Sequence, residues 1–382
     1  GEIKRTPAAP EPEPPGGRMK SLEGKKISIL GLGASGMAAA RLALRKGGEV
    51  HVSDTRSDAS LGARADELRG LGARVELGGH PLARVAQAEP VVVSPGIPPD
   101  APVLTALRAR GIRWISEPEF AFRFLHGSLM AVTGTNGKTT TAALAAHLLR
   151  GSDQEVGLGG NIGGAFGPPA SELALLEPAP DWYVVEISSF QLADIREFSP
   201  DIGVVTNLAP DHLDRYESLE AYYGDKARLF ENASSESRWV LNGDAPGVEA
   251  LAGDAPGFRF RFSLEKTDPP GGYVRDGALT LCLEEGKEES LLPADELPLL
   301  GRHNTANALA GALAARLAGA HPAAIAQGIR SFRPLPHRLE PVSESDGIGW
   351  VNDSKATNVA AACGALQSLE GPLVLLLGGK DK

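Results

Sequence analysis

Short apolar runs of strand length alternate with helical stretches along most of this chain, and several of the joints between them are rich in glycine. The first run, residues 26–30, leads into a turn at 31–36 whose glycines follow the pattern Gly-x-Gly-x-x-Gly. A helical stretch at 37–45 and a second apolar run at 49–53 come next. Strand, glycine turn, helix and strand in this order predict a βαβ unit with parallel strands, so we expect an α/β fold.

A second glycine-rich joint lies between the apolar run 128–132 and the Ala- and Leu-rich stretch 142–149. Glycines let the main chain approach a ligand closely, and the N–H groups at a helix start favour an anion. A lysine and several threonines add a cation and a hydroxyl ligand for magnesium. The glycines stand closer together than in the general P-loop pattern, so a turn opening an ordinary helix is the alternative. The candidate phosphate-binding residues are Gly134, Thr135, Asn136, Gly137, Lys138, Thr139 and Thr140.

Charged residues also follow two later apolar runs. Glu186 lies near the end of one run, and His212 lies a few residues after another. Because parallel strands end at the same edge of a sheet, we expect both side chains near Lys138. A carboxylate in an apolar strand is costly unless it is paired or metal-bound, which makes Glu186 and Thr139 candidate magnesium ligands. His212 is equally well explained as a structural histidine.

The first βαβ unit carries its own candidate site. Asp54 follows the second strand, at the position where dinucleotide-binding proteins hold a ribose, and Arg56 beside it suits a phosphate as well as a sugar. Ser94 and Gly96 lie in a turn after another apolar run, where a plain turn is the alternative. Taken alone, this unit predicts a nicotinamide or flavin site, although such a turn accommodates any pyrophosphate.

Four polar residues have competing interpretations. Asn161 lies in a glycine-rich loop and either faces a ligand or belongs to a flexible surface loop. Lys226 lies in a helical stretch and would by default be a solvated surface charge. Asn304 and Asn307 are three residues apart on one helical face, which suits a base or ribose edge, while a helix cap is the alternative.

Composition narrows the class of ligand. The chain has 382 residues, 42% of them hydrophobic and 23% charged, with a net charge of −10. An acidic protein is a poor general binder of nucleic acid or membranes, so we expect small-molecule ligands. We also expect a monomer. The two cysteines have no partner at metal-ligand spacing, and no apolar run reaches the roughly 20 residues of a membrane helix. We therefore expect a cytoplasmic protein.

Changes in composition along the chain predict its division. Residues 1–18 are rich in proline and glutamate and should form a disordered tail. We expect a first domain at 19–116, a central domain at 117–334, and a third at 335–382 after a proline-rich linker. The third domain should contain a strand at 349–351, a helix and an apolar strand at 373–377. One βαβ unit cannot cover both faces of a sheet, so we expect this domain to be incomplete.

Taken together, these motifs resemble the Mur ligases, the ATP-dependent amide-forming enzymes of peptidoglycan synthesis. The specific pieces are the short glycine loop at 133–139 and the segments 207–216, 301–307, 337–338 and 352–358. Residues 186–192 and the Gly31 turn with 54–56 are most similar to the branch that adds D-glutamate. The resemblance covers nearly everything from residue 20 to residue 382.

The resemblance implies a Rossmann-like N-terminal domain, a central P-loop ATPase domain with a parallel sheet, and an incomplete Rossmann-like C-terminal domain. It implies that the first domain binds the uridine diphosphate of the substrate and no nicotinamide. The implied substrate-binding residues are Asp54, Thr55, Arg56, Ser94, Gly96 and Asn161, with Lys355, Thr357 and Lys382 near D-glutamate. ATP would face the P-loop together with Asn304, Asn307, Arg338 and Asp353.

The resemblance also implies that Lys226 is carbamylated. The modified side chain would help to hold a second magnesium ion, and the implied catalytic and metal-binding residues are Lys138, Thr139, Glu186, His212 and Lys226. The expected reaction is ATP-dependent addition of D-glutamate to UDP-N-acetylmuramoyl-L-alanine through an acyl phosphate. Alternatives are another amide ligase such as a folylpolyglutamate synthase, a nicotinamide-dependent oxidoreductase, or a chain that only binds nucleotides.

Overall fold

A computed structural model describes residues 19–265, 268–369 and 371–378. The predicted tail at 1–18 and the candidate residue Lys382 lie outside this part of the chain. The described residues form an α/β fold with two large sheets and a small hairpin. The α/β class is therefore confirmed.

The first sheet has five parallel strands in the order β3-β2-β1-β4-β5. Its strands are β1 (Lys26–Leu30), β2 (Glu49–Asp54), β3 (Arg74–Leu77), β4 (Val91–Val93) and β5 (Trp114–Ser116). Its helices are α1 (Ala34–Arg45), α2 (Ala59–Gly70), α3 (Leu82–Val85) and α4 (Pro102–Ala109). The strand order reverses its direction between β1 and β4, and the loops after these strands open onto one crevice, where such sheets bind ligands.

The second sheet has nine strands in the order β14-β13-β12-β11-β10-β9-β6-β8-β7. Its strands are β6 (Ser128–Thr133), β7 (Val156–Gly160), β8 (Trp182–Glu186), β9 (Ile202–Val205), β10 (Arg238–Asn242), β11 (Phe258–Ser263), β12 (Gly271–Arg275), β13 (Ala278–Glu284) and β14 (Lys287–Pro293). The strands from β7 to β12 run parallel, while β13 and β14 pair antiparallel at one edge. The sheet is thus parallel where it carries the glycine loop, as predicted, and mixed beyond it.

Helices cover both faces of the second sheet. They are α5 (Glu117–Phe122), α6 (Lys138–Arg150), α7 (Ala170–Leu173), α8 (Ser189–Leu192), α9 (Leu219–Ala227), α10 (Val248–Ala252), α11 (Arg302–Leu317) and α12 (Pro322–Ser331). The Ala-rich helix α6 packs against α11 and α12 as well as the sheet, so it is buried on nearly every side. This packing fixes the helix whose first turn carries the glycine loop.

The two sheets are joined by buried carboxylates of α5. Glu119 is fully buried and accepts hydrogen bonds from three successive main-chain N–H groups, those of Arg196, Glu197 and Phe198. Glu117 is also buried and accepts from the main-chain N–H of Ser171 at the start of α7. Burial raises the pKa of Glu117 to about 7. These contacts link the helix that follows the first sheet to the body of the second.

The last described segment forms a hairpin of β15 (Glu340–Ser345) and β16 (Ile348–Asn352), followed by helix α13 (Val359–Leu366). The predicted strand at 349–351 falls within β16. The predicted strand at 373–377 is wrong, because residues 371–378 are irregular and exposed, with Val374 92% exposed. A strand needs a neighbour for its main-chain hydrogen bonds, and the described residues supply none there.

Candidate active site

The crevice of the first sheet opens into a cavity of about 970 Å3. The first-domain candidates line it together: Gly31, Gly33, Asp54, Thr55, Arg56, Ser94 and Gly96. The residues predicted from separate strands therefore meet along one cavity. Residues 94–96 do form a turn, and this turn lies on the cavity wall.

Asp54 braces the glycine turn with both carboxylate oxygens. One oxygen accepts from the main-chain N–H of Leu32 at 2.8 Å and the other from that of Arg56 at 2.9 Å. Each oxygen keeps a further lone pair, so Asp54 can still accept a bond from a ligand. The side chain thus shapes the cavity wall in addition to lining it.

Gly36 shows how tightly the turn is closed. A Cβ at this position would lie 1.9 Å from the carbonyl oxygen of Gly31. No larger residue fits without moving the main chain of the turn, which explains the third glycine of the pattern.

His80 lines the same cavity and was missed by the sequence reasoning. Its Nδ1 lies 2.8 Å from the hydroxyl oxygen of Ser53, and burial lowers the pKa of the imidazole, with Asp54 opposing that shift. A lone histidine 26 residues beyond Asp54 carries no spacing signal, so only the fold reveals it.

The second glycine turn joins β6 to α6 at the predicted place. Gly137 has φ +81°, and a Cβ there would lie 2.2 Å from the side-chain oxygen of Asn307 on α11. The turn is also held from the loop after β9, since Asn207 accepts from the main-chain N–H of Asn136 at 2.9 Å and donates to its carbonyl at 2.9 Å. Asn207 is a further residue that sequence reasoning did not assign.

Glu186 is buried at the end of β8, next to the start of α6. It accepts hydrogen bonds from the hydroxyl of Thr139 at 2.7 Å and from the side-chain amide of Asn161 at 3.2 Å. Arg338 donates to the same Thr139 hydroxyl at 3.0 Å. Glu186, Thr139 and Arg338 are thus brought together, and Asn161 lies beside Glu186 rather than among the residues of the large cavity.

Two lysines point at the main chain of the glycine turn. Lys138 donates to the carbonyl of Thr135 at 2.9 Å, and Lys226 donates to the carbonyl of Gly134 at 2.8 Å. Lys226 is only 1% exposed, so its interpretation as a solvated surface charge is wrong. Helix α9 turns this lysine inward, beneath the loop. Burial and, next, the charge of Lys138 lower the pKa of Lys226 well below its usual range. Burial likewise lowers the pKa of Lys138.

One aromatic ring lies against the side-chain nitrogen of Lys226. This nitrogen lies 4.5 Å from the ring centre of Tyr222, whose hydroxyl is 3.2 Å from that of Thr135. The centre of the His212 ring lies 6.0 Å from that of Tyr222 and 5.1 Å from that of Phe190. His212 therefore belongs to the wall around the lysine.

A cavity of about 310 Å3 lies between the glycine turn, α11 and the last described segment. Its lining includes Asn136, Gly137, Thr140, His303, Asn304, Asn307, Arg338, Asp353 and Lys355. All four residues outside the loop that were predicted for ATP line it, and Lys355, predicted for D-glutamate, lies here too. Thr357 is exposed and lines neither cavity.

The donor set of this region suits a magnesium ion that shares phosphate oxygens. Glu186 and Thr139 offer hard oxygen ligands in mutual contact. Within residues 19–265, 268–369 and 371–378, no group of three or more His, Cys, Asp or Glu side chains is arranged to hold a metal. A magnesium ion here would therefore take few protein ligands and depend on the nucleotide.

No helix among the described residues combines the length and apolar character that a membrane span requires.

Two family models match the chain. The Mur ligase MurD-like N-terminal domain matches residues 25–116, and the Mur ligase middle domain matches residues 132–315. A UDP-N-acetylmuramoylalanine–D-glutamate ligase of Acidobacterium capsulatum is 43% identical over 364 residues, which is 94% of this chain and 78% of that protein. The chain belongs to the Mur ligase family.

Other comparisons agree with this assignment. A ligase of the same name from Desulfatibacillum aliphaticivorans is 41% identical to this Mur ligase over 94% of the chain and 79% of that protein. Among solved structures, a murein peptide ligase from Psychrobacter arcticus has a TM-score of 0.59 at 19% identity, covering 90% of this chain and 75% of that one. The UDP-N-acetylmuramate–alanine ligase of Thermotoga maritima has a TM-score of 0.53 at 22% identity, covering 90% and 77%. These structures support the fold alone.

Proposed function

We propose that this Mur ligase joins D-glutamate to UDP-N-acetylmuramoyl-L-alanine at the expense of ATP, as a step of peptidoglycan precursor synthesis in the cytoplasm. The relatives that share 41–43% of its residues carry the name of this activity. The observation that carries the proposal is the set of charged groups at the second glycine turn, where two lysines and Glu186 meet. Such a set suits phosphoryl transfer and has no use in nicotinamide chemistry.

The large cavity is assigned to the uridine diphosphate end of the substrate. Asp54, Thr55 and Arg56 on one wall and Ser94 and Gly96 on the other would contact the uracil and diphosphate. The main-chain N–H groups at the start of α1 and the guanidinium of Arg56 offer charge complementary to a diphosphate. The cavity volume of about 970 Å3 is at the upper end of what a nucleotide-sized ligand needs.

The smaller cavity is assigned to ATP, with its phosphates at the glycine turn. Gly134 to Thr140 would surround the phosphates, and Asn304 and Asn307 would face the nucleoside. Arg338 and Asp353 come from the last described segment, so this segment has to stay docked for the nucleotide site to be complete. Our candidates for the D-glutamate site are Lys355, Thr357 and Lys382. Of these, Lys355 also lines the smaller cavity.

The chemistry follows from the poor reactivity of a carboxylate. Transfer of the γ-phosphoryl group of ATP to the L-alanyl carboxylate would give an acyl phosphate with a good leaving group. The amine of D-glutamate then attacks the carbonyl carbon, and phosphate leaves as the amide bond forms. The protein contributes position and charge neutralisation, and Lys138 offsets the charge on the transferring phosphoryl group.

Magnesium would neutralise phosphate charge during this transfer, held by Thr139 and Glu186, with His212 and a carbamylated Lys226 for a second ion. The environment of Lys226 supports the modification. Burial lowers the pKa of Lys226 and so favours the neutral amine, the form that adds to CO2 with release of one proton. The product is an anion close to Lys138.

The activity is tested by phosphate release from ATP in the presence of UDP-N-acetylmuramoyl-L-alanine. We expect release with D-glutamate and little with L-glutamate, since the amine must approach the acyl phosphate from one fixed direction. Equal release with both, or release independent of the UDP-linked substrate, would contradict the proposal. NADH fluorescence is the control for the oxidoreductase alternative, and we expect no binding.

The role of Lys226 has its own test. Lys226→Ala should lose most activity, and a small carboxylic acid added to the assay should restore part of it by occupying the vacated space with an anion. Lys138→Ala is the matched control, because no carboxylic acid can replace a cation there. Absence of rescue at every acid concentration would count against carbamylation while leaving the ligase activity itself untouched.

A further inference from the structure

Asn358 is an asparagine whose side chain does two jobs at once. Its oxygen accepts from the main-chain N–H of Ala361 at 2.8 Å, so it caps the N-terminus of α13. An asparagine at this position is fully explained by the cap alone. The other half of the side-chain amide is therefore the informative part.

The amide nitrogen of Asn358 reaches out of its own segment to two residues in loops that follow strands of the second sheet. It donates to the side-chain oxygen of Asn136 at 3.0 Å and to the carboxylate of Asp211 at 3.0 Å. Asn136 also donates back to the Asn358 oxygen at 3.4 Å. Both amide hydrogens of Asn358 are thus used in contacts that capping does not require.

The two partners are placed where phosphate chemistry is expected. Asn136 belongs to the glycine turn, and its main chain is already held by Asn207 and by the Thr206 hydroxyl, which donates to its carbonyl at 2.6 Å. These contacts hold the main chain of Asn136, whereas its side chain is held by Asn358. Asp211 precedes His212, and its negative charge acts on both Lys138 and Lys226.

We propose that Asn358 is a positioning residue for phosphoryl transfer. Its side chain ties the segment that carries Arg338 and Asp353 to the glycine turn, and it holds the Asp211 carboxylate in place. The inference rests on the proposed function, because it assumes that ATP binds at this turn. Asn358 does not need to touch the nucleotide. It sets the distance between the two halves of the nucleotide site.

Substitutions that keep the cap separate the two jobs. Serine and aspartate both cap helices well, and neither supplies the amide donor. For Asn358→Ser we expect thermal unfolding like that of the unaltered protein and kcat/KM for ATP lowered about tenfold, the effect of losing one or two hydrogen bonds. Asn358→Asp should lose more, because its carboxylate would face that of Asp211. In both variants the KM for the UDP-linked substrate should stay within about twofold of that of the unaltered protein, since Asn358, Asn136 and Asp211 all lie outside the large cavity.

A double variant, Asp211→Asn with Asn358→Asp, exchanges the two side chains. The amide at position 211 can then donate to the carboxylate at position 358. This exchange variant should recover part of the activity that Asn358→Asp alone loses. Asn352→Ser is the matched control in the same segment, because Asn352 contacts His337 instead of the glycine turn, and its ATP kinetics should be unchanged.

Unchanged kcat/KM for ATP in Asn358→Ser would overturn the inference, as would an exchange variant no better than Asn358→Asp. Both comparisons are made against the D-glutamate-dependent phosphate release of the unaltered full chain. If that release is absent, the proposed function fails. If it is present and the variants match it, only the role of Asn358 fails.

Discussion

The two glycine-rich turns of this protein share a local design and differ in everything around it. Each follows a buried parallel strand and opens a helix, at Gly31 to Gly36 and at Gly134 to Gly137. The first faces a wide cavity and is braced by the carboxylate of Asp54. The second is braced by asparagines and has two lysines directed at its carbonyls. If both turns hold phosphate, as we propose, the turn itself makes the room and the neighbouring side chains decide whether the phosphate is held or transferred.

The largest expected effect removes the charge that distinguishes the second turn. Lys138→Ala should lower turnover by hundreds-fold or more, because losing one such donor costs roughly 3–4 kcal/mol in the transition state. Binding of the UDP-linked substrate, measured by calorimetry, should stay near normal, since the first turn is untouched. Near-normal phosphate release would show that the two turns differ less than their surroundings suggest.

A second prediction concerns Glu117, the buried carboxylate that links the sheet of the first turn to the sheet of the second. Its folded-state pKa of about 7 lies above the usual 4.5, so the folded state holds its proton more tightly than the unfolded state. The proton on Glu117 therefore contributes fully to the free energy of unfolding below pH 4.5. This contribution, up to about 3 kcal/mol, is lost as the pH rises through 7.

Glu117→Gln imitates the protonated acid and should remove this dependence. In denaturant titrations the variant should match the unaltered protein at pH 4.5 and exceed it in free energy of unfolding at pH 8. The exposed Glu236→Gln is the control and should change neither value. A Glu117→Gln variant that tracks the unaltered protein at both pH values would mean that Glu117 is ionised in the fold.

Gly36→Ala should damage the first turn alone. The added methyl group would meet the Gly31 carbonyl oxygen, and overpacking of this kind costs about 1–3 kcal/mol. We expect weaker binding of the UDP-linked substrate and a lower melting temperature, with ATP analogue binding preserved. Equal losses at both sites would show that the turns are coupled. Gly62→Ala, in α2 with open space around it, is the matched control.

The smallest effect should come from Asp54→Asn. The asparagine side chain keeps one oxygen, which can accept from the N–H of either Leu32 or Arg56. Its NH2 group then faces the other N–H and leaves that donor unsatisfied, at a cost of about 1–2 kcal/mol. The KM for the UDP-linked substrate should rise by about tenfold with kcat nearly unchanged. The exposed Asp66→Asn, whose partner is Arg69 one helical turn away, should leave both constants unaltered.

Local patterns predicted the units around both turns well. Strand, glycine turn and helix are contiguous in sequence, so periodicity and turn chemistry are enough to place Lys138. The rule that parallel strands end at one edge of a sheet then predicted that Glu186 lies near it. The environment of Lys226 could not be predicted in this way. Whether a helical lysine faces solvent or another loop depends on what packs over its helix, and that comes from residues about 90 positions earlier.

The remaining gaps have the same origin. Asn161 was expected either to face a ligand or to lie in a flexible surface loop, and its contact with Glu186 at the end of the neighbouring strand was not predicted. The run 373–377 has the apolar composition of a strand, but composition cannot supply a pairing neighbour. His80, Asn207, Asp211 and Asn358 are single polar residues whose importance lies in contacts between distant segments, and these leave no periodic trace.

The three N–H groups collected by Glu119 bear on how this protein can be taken apart. A fragment that begins downstream of this residue would keep the nine-stranded sheet but leave the main-chain N–H groups of residues 196–198 without their acceptor. Expressing the ATP-binding half by itself should therefore give unstable material. Joint expression of the two halves as separate polypeptides, cut in an exposed loop elsewhere, is the more promising route to dissecting them.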